Sequence, residues 1–182
     1  EDSLATVSNP NVDTNSGYID LTENNNITIN NVGFAADGRL SVGNTINNAI
    51  LEDADTNAAE NLTITNSEFS DFNGEAISVV VDQSSGTGDA TADISGNTFT
   101  SVSEAIQVDA SGTGGNLGDG DSVTIQNNNV QSFGGTNAFE LSGLAANVDL
   151  TLEANDFDGG GSGTALTVSS TSENVTITDG TV

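Results

Sequence analysis

The sequence predicts an all-β protein, a right-handed parallel β-helix in which about six to seven coils, each of three short strands, stack into one solenoid. Three observations predict this fold. A short apolar-polar-apolar segment recurs along the whole chain, a second apolar pair follows nearly every copy, and loop-forming stretches of variable length separate each pair from the next copy. The repeats fill residues 1–182 without an intervening linker, so we expect a single domain.

The recurring segment predicts the first strand and the second strand of each coil. Two apolar residues flank a small polar one, a turn follows, and a bulky apolar residue sits five positions after the second apolar residue. This alternation is typical of strands with one buried face, and the density of Asn, Gly, Thr and Val disfavours helices. The copies are Ala5–Val12, Ile27–Phe34, Leu62–Phe69, Ala92–Phe99, Val123–Val130, Leu150–Phe157 and Val175–Val182.

The apolar pairs predict the third strand of each coil. They are Tyr18-Ile19, Ala49-Ile50, Ala76-Ile77, Ala105-Ile106, Ala138-Phe139 and Ala165-Leu166. Another apolar residue follows two positions later in most coils, whereas Glu52 breaks this alternation. Equivalent positions of successive coils should then stack about 4.8 Å apart. We expect one inward column of Ile29, Ile64, Ile94, Ile125, Leu152 and Ile177, and another of Phe34, Phe69, Phe99, Val130 and Phe157.

A tight corner should follow the first strand of every coil. It falls at Asn9, Asn31, Asn66, Gly96, Asn127, Ala154 and Asp179. Most of these residue types tolerate the left-handed backbone conformation, and stacked asparagines can hydrogen-bond their side-chain amides from coil to coil. Ala154 departs from the pattern, so we expect a different bend there.

The run apolar-Thr-apolar-x-Asn-x-x-Phe, seen from Ile27 to Phe34, resembles the repeat of the right-handed parallel β-helix superfamily, the pectate-lyase-like proteins. The resemblance covers Ala5 to Val182. It implies the coiled fold, but this fold carries lyases, hydrolases, adhesins, phage spikes and passive spacers. The chain is most similar to the non-catalytic surface, filament or adhesin type.

Charge narrows the range of partners. The chain has 27 acidic residues against one basic residue, Arg39, and a formal charge of -26. Such a surface repels nucleic acid and anionic lipid, and no apolar run approaches the roughly 20 residues of a membrane span. The acidity fits solubility in high salt, calcium uptake or protection from aggregation. The absence of Lys, Cys, Met, Trp and His favours an extracellular or cell-surface location.

The residues that most enzymes of this fold use are missing. The lyases that the chain resembles need an Arg or Lys, and the related hydrolases combine Asp residues with a His and further basic residues. Arg39 stands alone in an acidic chain, where a salt bridge is its commoner role, and a nucleophilic triad lacks both His and Cys. We therefore predict that the protein has no enzymatic activity and no catalytic residues.

Three weaker patterns concern ligands and modification. Asp109, Asp119 and Asp121 lie in one Gly-rich loop and are candidate calcium ligands, although a solvated loop is the simpler interpretation. Asn26, Asn61 and Asn174 begin Asn-x-Thr sequons, each three residues before an inward Ile, and are candidate glycosylation sites. The outward positions of the first strand are mostly threonines, and flat threonine arrays bind ice in some β-helical proteins. Asp93 and Glu153 interrupt the array here, so ice binding is a weak hypothesis.

These observations predict an extracellular structural protein. With Val182 ending an unfinished coil and no amphipathic helix to cap it, we expect one copy to stack head to tail on the next, with Glu1 to Leu4 supplying the missing edge. The product would be a homopolymeric cell-surface filament or an adhesin stalk. The alternative is a carbohydrate- or surface-binding module that uses the loops 82–91 and 109–122. A degenerate polysaccharide lyase or hydrolase is a third possibility.

Overall fold

The structure, a computed structural model, describes residues 17–20, 27–35, 48–54, 61–81, 91–109, 122–144, 149–158, 163–170 and 175–178. Within these ranges every regular element is a β-strand. The strands are β1 (Gly17–Asp20), β2 (Ile27–Asn30), β3 (Gly33–Ala35), β4 (Asn48–Ala54), β5 (Asn61–Thr65), β6 (Glu68–Ser70), β7 (Glu75–Val81), β8 (Thr91–Ser95), β9 (Thr98–Thr100), β10 (Glu104–Asp109), β11 (Ser122–Gln126), β12 (Asn129–Val130), β13 (Asn137–Leu144), β14 (Asp149–Glu153), β15 (Asp156–Phe157), β16 (Thr164–Ser170) and β17 (Val175–Thr178).

These strands form three parallel sheets, because every third strand pairs with the one a coil earlier. The first sheet has the order β2-β5-β8-β11-β14-β17, the second β3-β6-β9-β12-β15, and the third β1-β4-β7-β10-β13-β16. Every pairing between neighbouring strands is parallel. The predicted all-β parallel β-helix, with three short strands in each coil, is confirmed.

The predicted inward columns are the core. In the first sheet the register aligns Ile29 with Ile64, and the alignment continues to Ile177 through the expected residues. The isoleucines at 29, 64, 94 and 125 are fully buried. In the second sheet Phe69 stacks between Phe34 and Phe99, with ring centroids 5.0 and 5.1 Å apart. The core is thus built from vertical contacts between identical positions of successive coils.

The first corner adopts the left-handed conformation in every described coil. The backbone φ angle is 58° at Asn31, 51° at Asn66, 68° at Gly96, 54° at Asn127 and 51° at Ala154. The prediction of a different bend at Ala154 is therefore wrong. The Ala154 N–H donates to the Thr178 carbonyl at 2.9 Å, as the Asn127 N–H donates to the Glu153 carbonyl at 2.9 Å. Hydrogen bonding between coils imposes the bend although alanine disfavours it.

The main amide ladder lies one position after the predicted asparagines. Asn97, Asn128 and Asn155 are buried, and the Nδ2 of Asn128 donates to Oδ1 of Asn155 at 3.0 Å and to the Ile94 carbonyl at 2.8 Å. The Nδ2 of Asn97 bonds Asn128 Oδ1 and the Ile64 carbonyl in the same way. Of the predicted asparagines, Asn66 donates from its Nδ2 to Oδ1 of Asn30 at 3.0 Å on the exposed side, one position before the expected partner Asn31. The ladder faces inward because it supplies partners for backbone groups at the turn.

Replacing Ala154 by asparagine should stabilise the protein. An L-residue with a Cβ in the left-handed region costs roughly 1–2 kcal/mol, and asparagine tolerates that region better than alanine. We expect Ala154→Asn to raise the free energy of unfolding by about 0.5–1 kcal/mol. Denaturant unfolding would measure the change, and the exposed Thr28→Asn variant is the control. A lower stability of Ala154→Asn than of wild type would contradict the strain at this corner.

Candidate functional site

Four apolar side chains at one end of the described coils are less buried than their counterparts one coil earlier. Ile177 is 58% exposed, whereas Leu152, its partner in the preceding coil, is 3% exposed. Phe157, Leu166 and Val168 are only partly buried. Their counterparts one coil earlier, Val130, Phe139 and Leu141, are buried. We call Phe157, Leu166, Val168 and Ile177 the terminal face, because they are the last described inward residues of the three sheets.

The opposite end of the first and second sheets is buried. Ile27, Ile29 and Phe34 are the first described inward residues of these two sheets, and their exposed fractions are 6%, 0% and 9%. The two ends of these two sheets therefore differ, and the exposed Ile177 lies on the side of β17. A partner that continues the columns would find its apolar contacts at the terminal face.

The backbone at the terminal face is also suited to pairing. β17 pairs with β14 in parallel and is the outermost strand of the first sheet among the described residues. An outermost strand presents N–H and C=O groups that another strand can pair with. The neighbouring β14 shows the required geometry, since its pairing with β17 is in register from Leu150 to Glu153. A further parallel strand laid on β17 would repeat this geometry.

The outer face of the first sheet carries the predicted threonine column, and its register is confirmed. Thr28, Thr63, Asp93, Thr124, Thr151 and Thr176 align from coil to coil. Neighbouring polar columns are hydrogen-bonded between coils, as Thr65 Oγ1 donates to Asn30 Oδ1 at 2.9 Å and Thr91 Oγ1 donates to Asn61 Oδ1 at 2.7 Å. The carboxylate of Asp93 interrupts the threonine column, so this face is not a uniform hydroxyl array.

A column of polar residues on the third sheet contains an unpartnered carboxyl group. Glu75 and Glu104 are direct partners on β7 and β10, and Glu140 lies on β13, the next strand of the sheet. The Oε1 atom of Glu104 is buried and accepts no hydrogen bond. Burial, followed by the charges of Glu140 and Glu75, raises the pKa of Glu104 from 4.5 to about 8. This carboxyl group is therefore protonated at neutral pH.

A groove runs across three coils at the corner between the second and third sheets. Its volume is about 390 Å³, and it is lined by Phe72, Asn73, Ser101, Val102, Ser103, Ser132, Phe133 and Gly134. The aromatic and valine side chains are buried beneath it, while Ser101 and Gly134 are exposed. The groove therefore combines an apolar floor with hydroxyl and amide groups, and none of its lining residues is charged.

The structure describes two of the predicted site residues. Asp109 ends β10, is half-buried, and its Oδ1 accepts a hydrogen bond from Ser142 Oγ at 3.2 Å. Asn61 begins β5, is half-buried, and accepts the hydrogen bond from Thr91. The other predicted site residues, Asp119, Asp121, Asn26 and Asn174, lie outside the described residues, as does Arg39.

The described residues contain no cluster of metal-ligating side chains and no helix that could span a membrane. Among them, no group of three or more His, Cys, Asp or Glu side chains is placed to hold a metal ion. In the same ranges, no helix is long and apolar enough to cross a membrane. The calcium loop from Asp109 to Asp121 is therefore a prediction of which the structure describes one residue. The same holds for the loop 82–91, of which only residue 91 is described.

Sequence analysis missed the carboxylate column on the third sheet. The signal was present, because Glu75 and Glu104 each stand directly before an Ala-Ile pair, in the repeated order Glu-Ala-Ile. Stacking the two pairs stacks the two glutamates as well.

Known proteins give no further guide to this chain. No family model, curated protein or solved structure matches it.

Proposed function

We propose that this protein is a structural subunit of the cell exterior, which stacks end to end through the terminal face into a filament or stalk. The observation that carries the proposal is the exposure of Ile177, at 58%, at the end of a column whose other members are buried. An exposed large apolar side chain is ordinary when it is isolated, but this one lies on the outermost described strand of its sheet, and the last described inward residues of the other two sheets are only partly buried.

The physical gain from stacking is both apolar and polar. Burying a side chain such as Ile177 contributes roughly 1.5–3 kcal/mol, and each backbone hydrogen bond to a new strand contributes roughly 0.5–1.5 kcal/mol. A contact that joins opposite ends of two copies is heterologous. It repeats as an open filament unless the rotation between neighbouring copies closes the assembly into a ring. The parallel sheets favour this mode, because a copy in the same orientation continues them in parallel.

The net charge opposes stacking and should make it dependent on salt. Each copy carries a formal charge of -26, so two copies repel each other strongly at low ionic strength. The Debye length falls from about 10 Å at 0.1 M to about 3 Å at 1 M. We therefore expect longer assemblies as the salt concentration rises. If calcium at the same ionic strength assembles the protein no better than sodium, screening is the cause; a larger calcium effect would instead favour the predicted uptake of calcium.

An Ile177→Asp variant tests the terminal face directly. We expect wild type to form filaments in high salt, seen by electron microscopy, and the variant to remain as single particles with at least a tenfold lower assembled fraction, because a carboxylate replaces the apolar contact. The matched control is Thr28→Asp, which adds the same charge to an exposed outward position of β2. It should assemble like wild type.

Three results would contradict the proposal. Wild type that stays monomeric at all salt concentrations would show that the terminal face does not mediate self-association. Equal assembly of Ile177→Asp and wild type would show that association uses another surface. A dimer that does not grow with protein concentration would replace the filament by a closed pair.

A second candidate function, binding of glycans or of another surface, is favoured by the corner groove. Its uncharged hydroxyl and amide groups above an apolar floor suit a neutral sugar chain better than an ionic ligand. Ser103→Trp would fill the groove and should abolish any binding found on a glycan array, while the half-buried Ser95→Trp on the first sheet should leave it unchanged. Binding that survives Ser103→Trp would place the glycan site elsewhere, for example on the predicted loops 82–91 and 109–122.

A further inference from the structure

Three glutamates lie on three successive strands of the third sheet, because β10 lies between β7 and β13. Glu104 pairs in direct register with Glu75 of β7. On the other side Glu140 of β13 pairs with Gln107, three residues further along β10, and its carboxylate turns back to Asn137. No arginine, lysine or histidine belongs to the described residues, so no cation compensates these charges within the described sheet. Carboxylates at such spacing cannot all ionise without mutual repulsion.

The nearest amide is already engaged. Asn137 lies two residues before Phe139, as Glu104 lies two residues before Ile106, and Phe139 pairs with Ile106. Its Nδ2 donates to Oε2 of Glu140 at 2.8 Å, and its Oδ1 accepts from Thr167 Oγ1 at 2.7 Å. Asn137 is therefore hydrogen-bonded to Glu140 and Thr167 rather than to Glu104. The buried Oε1 of Glu104 remains without a donor.

We propose that Glu75, Glu104 and Glu140 form a proton-dependent junction between three coils, which is tight while Glu104 carries a proton and weakens when that proton leaves. The proton removes the central charge of the three and so relieves repulsion on both sides of β10. Its loss leaves a half-buried carboxylate with an unpartnered oxygen between two like charges. The junction therefore gives the coil a lower stability in alkaline solution.

The sign of the pH dependence follows from the direction of the shift. The pKa of Glu104 is about 8 in the folded protein and near its ordinary 4.5 in the unfolded chain, so the folded state binds more protons between these values. The stabilising contribution is complete below about pH 4.5 and is lost as the pH rises through about 8. Because Glu104 is only partly buried, solvent screening reduces the effect.

Glu104→Gln tests the junction, since an amide has the shape of the protonated carboxyl group and keeps it at every pH. We expect the melting temperatures of the variant and of wild type to agree near pH 4.5, to separate progressively as the pH rises from there, and to reach their full separation above about pH 8, with the variant higher. A separation of roughly 2–4 °C is expected for a chain of this size. The matched control, Glu68→Gln, removes one charge from an exposed position of β6 and should leave the pH profile parallel to that of wild type.

Carbon NMR of the Glu104 side chain in wild type provides a second readout that needs no variant. Its carboxyl signal should titrate near pH 8, and Glu75→Gln should move this titration to lower pH by removing one neighbouring charge. A signal that titrates near 4.5, or profiles of Glu104→Gln and wild type that remain parallel across the whole range, would overturn the proposal.

Discussion

Replacing Asn128 by leucine should reduce the free energy of unfolding by about 3–5 kcal/mol, because it removes the middle of the buried amide ladder. Asn128 Oδ1 accepts from the Asn97 N–H at 3.0 Å and from Asn97 Nδ2 at 3.1 Å. Its Nδ2 donates to the Ile94 carbonyl and to Asn155 Oδ1. Leucine fills the space without supplying these bonds, and it leaves a backbone donor and a backbone acceptor unsatisfied in the interior.

The neighbouring residue provides the control for this experiment. Asn129 points away from the ladder, and its buried Oδ1 has no hydrogen-bond partner. Thr98 occupies the same column one coil earlier, so Asn129→Thr should change the stability by less than about 0.5 kcal/mol. Denaturant unfolding followed by circular dichroism measures both variants. Similar losses in the two variants would mean that the corner tolerates Asn128→Leu by rearranging, and that the ladder contributes little.

The repeat predicted the fold because each coil must place its apolar residues over those of the coil before it. Ile64 and Ile94 align because both are the second apolar residue of their copy, and nothing else in the chain is needed to fix that register. The left-handed corner was predicted because Asn and Gly, which tolerate that backbone conformation, recur at the same place in most copies. At Ala154 the residue type gave the wrong prediction of a different bend. The backbone there is left-handed because hydrogen bonds to the adjoining coils determine its conformation.

The candidate surfaces were harder to predict because they depend on what lies beside each residue. Phe157 and Val130 occupy the same column, and only the structure shows that Val130 is buried whereas Phe157 is partly buried. Asn127 and Asn128 are adjacent in sequence and of the same type, yet one is exposed at the left-handed corner and the other is buried in the ladder. Glu104 likewise has an ordinary sequence context, and its protonation follows from the strands on either side.

Truncation of Phe69 to alanine should cost about 3–5 kcal/mol and should separate the two halves of the aromatic stack. Its ring lies between those of Phe34 and Phe99, nearly parallel to both, at interplanar angles of 8° and 12°. The loss combines the cavity left by the ring with two stacking contacts, each worth about 0.5–1.5 kcal/mol.

Phe157→Ala is the matched control for Phe69→Ala, because Phe157 belongs to the same column but is only partly buried at the terminal face. It makes one ring contact, to Phe139 at 4.8 Å, so its truncation should cost roughly half as much. Hydrogen exchange would place the damage: β3 and β9 should lose protection in Phe69→Ala, whereas β12 should lose it in Phe157→Ala. Equal losses of stability in both variants would show that the terminal face is as well packed as the interior. That result would also weaken the case for stacking, because a face that is already covered gains little from a second copy.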